Sequence, residues 1–393
     1  MVILMIKLFI IFLSLFILNG CEKEMSELTK IILNDNLTLE YAEEASLFDL
    51  VKVNEGKIIS DDFDINTMVL GKQNIKFKFK DANGNKFTHE FNINVVDTTK
   101  PLILASSYYT VEINSEDSLP SYPLCADNYD KSIKCNIEGD YDLNTLGSYN
   151  LKYTAIDTNN NYSEHSFTLE VKNPTYEEGY YEEEVINIKD FTKKYKNENT
   201  LIGIDVSSWQ DDIDYELVKR QGIEFVMIRI GFGHNNEGEI VLDSWYENNI
   251  KKAKEAGLKV GIYFYSYASN ENESTAQAKW ILKILNKEKL DLPIAFDWED
   301  WSDFENYNMS LVDINNVAKA FLKTIEKKGY KAMNYGSALY LKYIWNLNNY
   351  DTWLAHYTEM TDYSGDYYIW QVTNSGQVDG INGYVDLNVL YKK

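Results

Sequence analysis

Leu292-Pro293-Ile294-Ala295-Phe296-Asp297-Trp298-Glu299-Asp300 is a short apolar run that breaks out into two carboxylates separated by one aromatic. The run reads as a buried strand. Along a strand the side chains alternate faces, so Asp297 and Glu299 point the same way. Two carboxylates on one face at a strand end are the raw material of glycosidic bond hydrolysis. One of them must hold a proton at neutral pH while the other stays charged or steers the substrate. An acidic loop following a strand is the plainer reading of the tripeptide alone, so its surroundings decide.

Working outward, the chain from Leu201 onward alternates strands with helices. Strands are expected over 201–205, 225–230, 260–265, 294–298 and 331–335, then over 352–356, 367–372 and 385–389. Helices are expected over 213–221, 243–256, 271–286, 311–328 and 337–345. Eight strands with five helices in that order predict an α/β barrel whose last section has turns and loops in place of covering helices. The active site of such a barrel lies where the strands end. Collecting those ends gives Asp205, Arg229, Tyr265, Asp297 with Glu299, Tyr335, Trp353 with Tyr357, Trp370 with Gln371, and Asp386. Four acids and several aromatics on one rim are what a glycan cleft needs. Asp379 rivals Asp386, and the strand setting favours Asp386.

Here a resemblance enters. Gly203-Ile204-Asp205-Val206-Ser207-Ser208-Trp209-Gln210 resembles the opening motif of glycoside hydrolase family 25, the N-acetylmuramidases. Phe225-Val226-Met227-Ile228-Arg229, Gly261-Ile262-Tyr263-Phe264-Tyr265, Asp297-Trp298-Glu299, Trp353-Leu354-Ala355-His356-Tyr357, Trp370-Gln371 and Val385-Asp386-Leu387-Asn388 follow in the family's order, across 199–393. The resemblance implies an eight-stranded, five-helix barrel that cleaves the bond between N-acetylmuramic acid and N-acetylglucosamine. It also implies Glu299 as general acid, its pKa raised by Phe296, Trp298 and a neighbouring anion. Asp297 would stay ionised and support positive charge or orient the sugar's acetamide. Asp205 and Asp386 would be electrostatic or water-positioning groups. Tyr265, Tyr335, Trp353, Tyr357 and Trp370 would be sugar platforms, with Gln371 and Arg229 also touching substrate. No cofactor or metal is implied. A chitinase-like hydrolase is disfavoured because Ala295 stands where its signature carries a further Asp.

The rest of the 393 residues sets the context. A net charge of −23 argues against nucleic acid, because a polyanion would be repelled. The 30 Tyr, 17 Phe and 8 Trp suit β-rich domains and a sugar cleft. Residues 8–18 form an apolar stretch that leads to Leu18-Asn19-Gly20-Cys21. This resembles a bacterial lipoprotein signal over 1–20, with Cys21 acylated; an uncleaved membrane anchor is the alternative. Of the remaining cysteines, Cys125 and Cys135 either pair, as an exported protein permits, or stay free and buried.

Residues 27–97 and 98–172 read as two copies of one β-sandwich. Leu70-Gly71, Asn74-Ile75-Lys76-Phe77 and a turn at 81–85 recur as Leu146-Gly147, Asn150-Leu151-Lys152-Tyr153 and a turn at 157–161. The units resemble bacterial immunoglobulin-like repeats and are expected to be spacers or wall-contacting modules. The 81–85 turn is a hairpin rather than a calcium loop, because Lys86 and Asn92 stand where such a loop needs Gly and Glu. Residues 173–198 read as an acidic linker with no sustained hydrophobic period. The whole is expected to be a monomer, lipid-anchored on the outer face of the membrane, acting on peptidoglycan strands. A non-catalytic wall-binding or adhesion lipoprotein with a degenerate barrel is the competing expectation.

Overall fold

A computed structural model of the chain describes residues 24–114, 124–131, 133–174, 185–233 and 239–392. The expected signal with Cys21, and residues 175–184 of the expected linker, lie outside the described residues. The chain divides into two compact units, one ending at Asp97 and the other running from Thr98 to Lys393.

The first unit is all β apart from one helical turn. A long hairpin, Gly71–Asp81 against Lys86–Val96, carries Lys57 and its neighbours on one edge and Thr38–Glu40, parallel, on the other. Lys30–Leu33 pairs with Val51–Asn54 as a second, two-stranded sheet. Alternation along the hairpin buries Ile75, Phe77, Phe79, Phe91, Ile93 and Val95 on one face. The hairpin closes through Asp81, whose Oδ1 accepts the Asn83 and Asn85 amides at 3.0 and 2.8 Å.

The second unit opens with the same strand order. Gly147–Ile156 and Tyr162–Lys172 form the hairpin, Asn136–Glu138 and parallel Tyr108–Glu112 flank it, and Leu102–Leu104 pairs with Leu124–Ala126. The turn at Asp157 repeats the bonds of the turn at Asp81, to Asn159 and Asn161. Cys125 and Cys135 are joined by a disulfide.

The same unit continues into a closed barrel of eight strands: Thr200–Val206, Phe225–Gly233, Lys259–Tyr265, Ile294–Asp297, Ala332–Ser337, Asp351–Ala355, Ile369–Gln377 and Val385–Tyr391. The first seven run parallel in sequence order, and the eighth closes the ring antiparallel to both neighbours. Helices Tyr215–Arg220, Tyr246–Glu255, Glu271–Leu285, Leu311–Glu326 and Ala338–Tyr343 follow the first five strands. Odd-numbered side chains of the early strands (Phe225, Met227, Ala295, Met333, Tyr335, Trp353, Ile369) fill the barrel. Even-numbered ones (Ile202, Ile204, Val226, Ile228, Phe264, Phe296) pack outward under the helices. Gly203 has no side chain because the Phe225 ring occupies that space, 2.3 Å from where a Cβ would stand.

Two expectations change. The linker expected to reach residue 198 ends sooner: Ile186–Asn187 pairs parallel with the Ile369–Gln377 strand, and Ile188–Tyr195 is a helix capped by the Asn187 side chain. Ile188, Phe191 and Tyr195 put apolar groups at i, i+3 and i+7, and bury Phe191 to 1% exposure against the barrel. Lysines between them hid that period. Secondly, the repeat at 98–172 is no detached spacer. Ala126, Leu102, Leu104 and Leu124 join the apolar cluster that holds the barrel's outer face.

Candidate active site

All four acids meet at one mouth of the barrel. Asp205 ends the first strand on its inner face, and Asp297 ends the fourth. Asp386 stands at the beginning of its strand, yet the antiparallel direction of that strand brings it to the same rim. It is the register partner of Asp205. Glu299 lies two residues past the fourth strand, in the segment that enters a 3-10 helix at Trp301–Tyr307.

Asp205 is the anchored member. It is buried, and its Oδ2 accepts Nδ2 of Asn388 at 2.7 Å and Nε2 of Gln371 at 2.9 Å. Both amides are held in that orientation from behind. Trp353 Nε1 donates to Asn388 Oδ1 at 2.8 Å, and the Tyr335 and Tyr357 hydroxyls donate to Gln371 Oε1 at 2.9 and 3.1 Å. With their carbonyls engaged, the amides can offer Asp205 only N–H groups. Burial raises Asp205 to about 6, the two amides working in the opposite direction.

The other three hold protons more firmly. Burial, then repulsion from Glu299 and Asp205, pushes Asp297 well above the usual carboxylate range, with Arg229 partly offsetting it. Its Oδ1 is buried with no hydrogen-bond partner among the described residues. Asp386 is raised to about 9 by burial and then by Asp205. Glu299 is exposed at the barrel mouth, while the protein around its carboxyl withholds enough water to raise it to about 7, with Asp205 adding to the shift. Tyr265, Tyr335, Tyr340 and Tyr357 surround Glu299 closely enough for its charge to raise their own hydroxyls, after burial. The four acids therefore titrate as a set, with Asp205 the member its partners favour as an anion. Burial without a donor among the described residues works against the charge that Asp297 is expected to carry.

Arg229 is fixed rather than free. Its Nε donates to Asp243 at 2.8 Å and one terminal nitrogen donates to Ser208 Oγ at 3.0 Å. Asp243 is wholly covered and also accepts the Ser208 amide, so the guanidinium sits beside the acids as a positioned charge.

The aromatics divide by face. Trp353 is 1% exposed and spends its N–H on Asn388. Trp370 is 4% exposed on the outer face, donating to the His356 carbonyl and meeting Tyr195 edge-on. Neither presents a ring to the cleft, which corrects their expected role as platforms; alternation alone puts Trp370 opposite Gln371. Tyr335 is buried with its hydroxyl on Gln371. Tyr357 is 52% exposed and Tyr265 half-buried, so both remain open to a ligand. Trp209, overlooked as a site residue, is 82% exposed just past the Asp205 strand. Asn388 was overlooked too, although an amide two residues from Asp386 on a strand must share its face.

Comparison with known proteins agrees with this reading. Residues 204–381 match the family model of glycosyl hydrolases family 25. The chain is similar to the uncharacterized protein YegX of Escherichia coli K12, 32% identical over 210 residues that cover 52% of this chain and 74% of that protein. It is also similar to an autolytic lysozyme of Clostridium acetobutylicum, 30% identical over 191 residues, covering 47% of this chain and 54% of that protein. A family 25 glycosyl hydrolase of Bacillus anthracis aligns over 51% of this chain and 92% of its own, at 22% identity and a TM-score of 0.44.

Proposed function

The C-terminal region of this chain belongs to glycosyl hydrolases family 25, and from that premise we propose that the protein is a peptidoglycan hydrolase cleaving between N-acetylmuramic acid and N-acetylglucosamine. One observation carries the reading: an exposed carboxyl, raised to about 7, beside three further acids on one barrel rim.

Glu299 protonates the leaving glycosidic oxygen. A pKa near the working pH keeps a useful fraction protonated and still lets the proton leave. Asp297 receives what its bare Oδ1 lacks: a substrate acetamide N–H donates to it, or cationic charge develops beside it, and either drives it to the carboxylate. Asp205 supplies the standing negative charge that stabilises that cation. Asp386, paired with it across the strands, relays or positions water. Tyr265, Tyr357 and Trp209 contact sugar.

The proposed setting is the outer face of the bacterial membrane. Support for it is the sequence Leu18-Asn19-Gly20-Cys21 after an apolar stretch. The two β units, whose likeness to immunoglobulin-like repeats rests on sequence, precede the barrel in the chain. Digestion of purified peptidoglycan by the full chain, with mass spectrometry of the fragments, tests the reaction. Fragments with N-acetylmuramic acid at the reducing end support it. Wall binding without fragments would favour a wall-binding protein instead.

A further inference from the structure

We infer that the β unit at 98–172 is a positioning part of the hydrolase: its disulfide-linked strand Leu124–Ala126 and the loop at 127–131 hold in place the segment that carries Glu299. The inference rests on the hydrolase reading for its consequence, and on the following contacts for its geometry.

Leu124–Ala126 lies against the 3-10 helix Trp301–Tyr307. Its Ala126 is buried in the same apolar cluster as Trp301 and Phe304. Immediately beyond, the Asp127 carbonyl accepts the amide of Leu311 at 2.7 Å. Leu311 is the first residue of a sixteen-residue helix, where backbone amides have no partner within the helix. A carbonyl from another domain fills that vacancy. Lys131 then reaches Asp313 at 2.9 Å, the residue that completes the capping box with Ser310. The strand thus lies on the 3-10 helix, and the loop after it holds the far end of the 301–311 segment.

That segment is the backing of the acid. The Trp301 amide donates to the Glu299 carbonyl at 2.7 Å. Trp298, between the two acids, packs edge-on against Trp301, Phe304 and Tyr307 with ring centres at 4.7, 5.9 and 5.2 Å. Trp301 stacks on Tyr340 at 4.3 Å, and the Tyr307 hydroxyl donates to Asp300 at 2.5 Å. The backbone on either side of Glu299 is set by these rings, and the rings are held by the β unit.

The gripping loop is itself built to keep its shape. Asp127 Oδ1 accepts the amides of Tyr129 and Asp130, both at 2.8 Å. Asp130 accepts the amide and hydroxyl of Thr158 in the hairpin turn, at 2.5 and 2.8 Å. The Cys125–Cys135 disulfide ties the docking strand to the chain leading into the next strand, Asn136–Glu138. Each device fixes the surface that meets the 301–311 segment.

The test uses the full chain with two perturbations. Ala126→Leu overfills the contact with the 3-10 helix, and Cys125→Ser with Cys135→Ser releases the docking strand without adding volume. Both are compared with wild type for kcat, KM, the pH profile of kcat, and amide hydrogen exchange over 299–311. The inference predicts a roughly tenfold fall in kcat, the size expected of a displaced catalytic group, with KM changed less than about twofold. It also predicts faster exchange over 299–311. The alkaline limb should move to lower pH, because water admitted beside Glu299 favours its charged form; loss of folded protein alone would scale activity without moving that limb. Two variants that keep the wild-type kcat and limb would overturn the inference. A wild type that binds peptidoglycan yet releases no fragments would instead overturn the hydrolase reading, and the catalytic consequence with it.

Discussion

Asp386 is the register partner of Asp205 across the antiparallel pair that closes the barrel, so two carboxylates stand side by side on one face at the mouth. The eighth strand owes its functional place to its reversed direction. Asp386 bears the larger upward shift, from burial and then from the charge of Asp205, whereas hydrogen bonds from Asn388 and Gln371 restrain Asp205.

Stability should therefore depend on pH in a stated direction. The folded chain raises Asp386 to about 9 from an ordinary carboxylate value near 4. A raised folded pKa contributes stability that is complete below the ordinary value and is lost as pH rises toward 9. Asp386→Asn removes that loss. Its melting temperature should exceed wild type at pH 8 and match it at pH 4. A variant that melts lower at pH 8 would contradict this.

Asp205 should lose acidity when its amides go. Asn388→Leu removes a donor that favours the carboxylate, so the acid limb of the kcat profile should move up by about one pH unit. Trp353→Phe takes away the N–H that orients Asn388 and should shift the same limb in the same direction, with KM little changed. A rise in KM without a shifted limb would restore Trp353 as a platform.

Exposed rings should behave otherwise. Trp209→Ala and Tyr265→Ala should raise KM severalfold, Trp209→Ala with kcat nearly intact, as loss of uniform binding does. Steady-state kinetics on soluble glycan fragments decides it.

The barrel should need what precedes it. Phe191→Ala empties a site 1% exposed against the barrel and should cost about 3–5 kcal/mol, read as a lower denaturant midpoint at unchanged slope. A fragment starting at residue 199 lacks that helix and leaves the 301–311 segment uncovered, so it should be less stable than the full chain.

These predictions mark where sequence reading reached and where it stopped. The eight strands and the acids at 205, 297, 299 and 386 were legible, because buried strands are short apolar runs and an acid within or just after such a run stands out. The reversed eighth strand was not: direction is set by pairing, and Val385-Asp386-Leu387-Asn388 alternates alike either way. Trp353 and Trp370 looked like platforms because a ring near a strand end carries no mark of which side faces water. Period two does separate Trp370 from Gln371. Trp353 needed its partner, Asn388, in view. The helix Ile188–Tyr195 hid behind Lys189, Lys193 and Lys194, which point away from a narrow apolar stripe. The hold of residues 124–131 on 301–311 joins segments far apart in sequence, and no local pattern announces it.

The central claim is that Glu299 gives its proton to a glycosidic oxygen of peptidoglycan. Full-length wild type and Glu299→Gln, incubated with purified peptidoglycan and compared by mass spectrometry, test it most directly. Wild type should release fragments ending in reducing N-acetylmuramic acid, and the variant should do so at least about a hundredfold more slowly while still folding and binding wall. Equal release by both proteins, or none by wild type on any wall that it binds, would contradict the account.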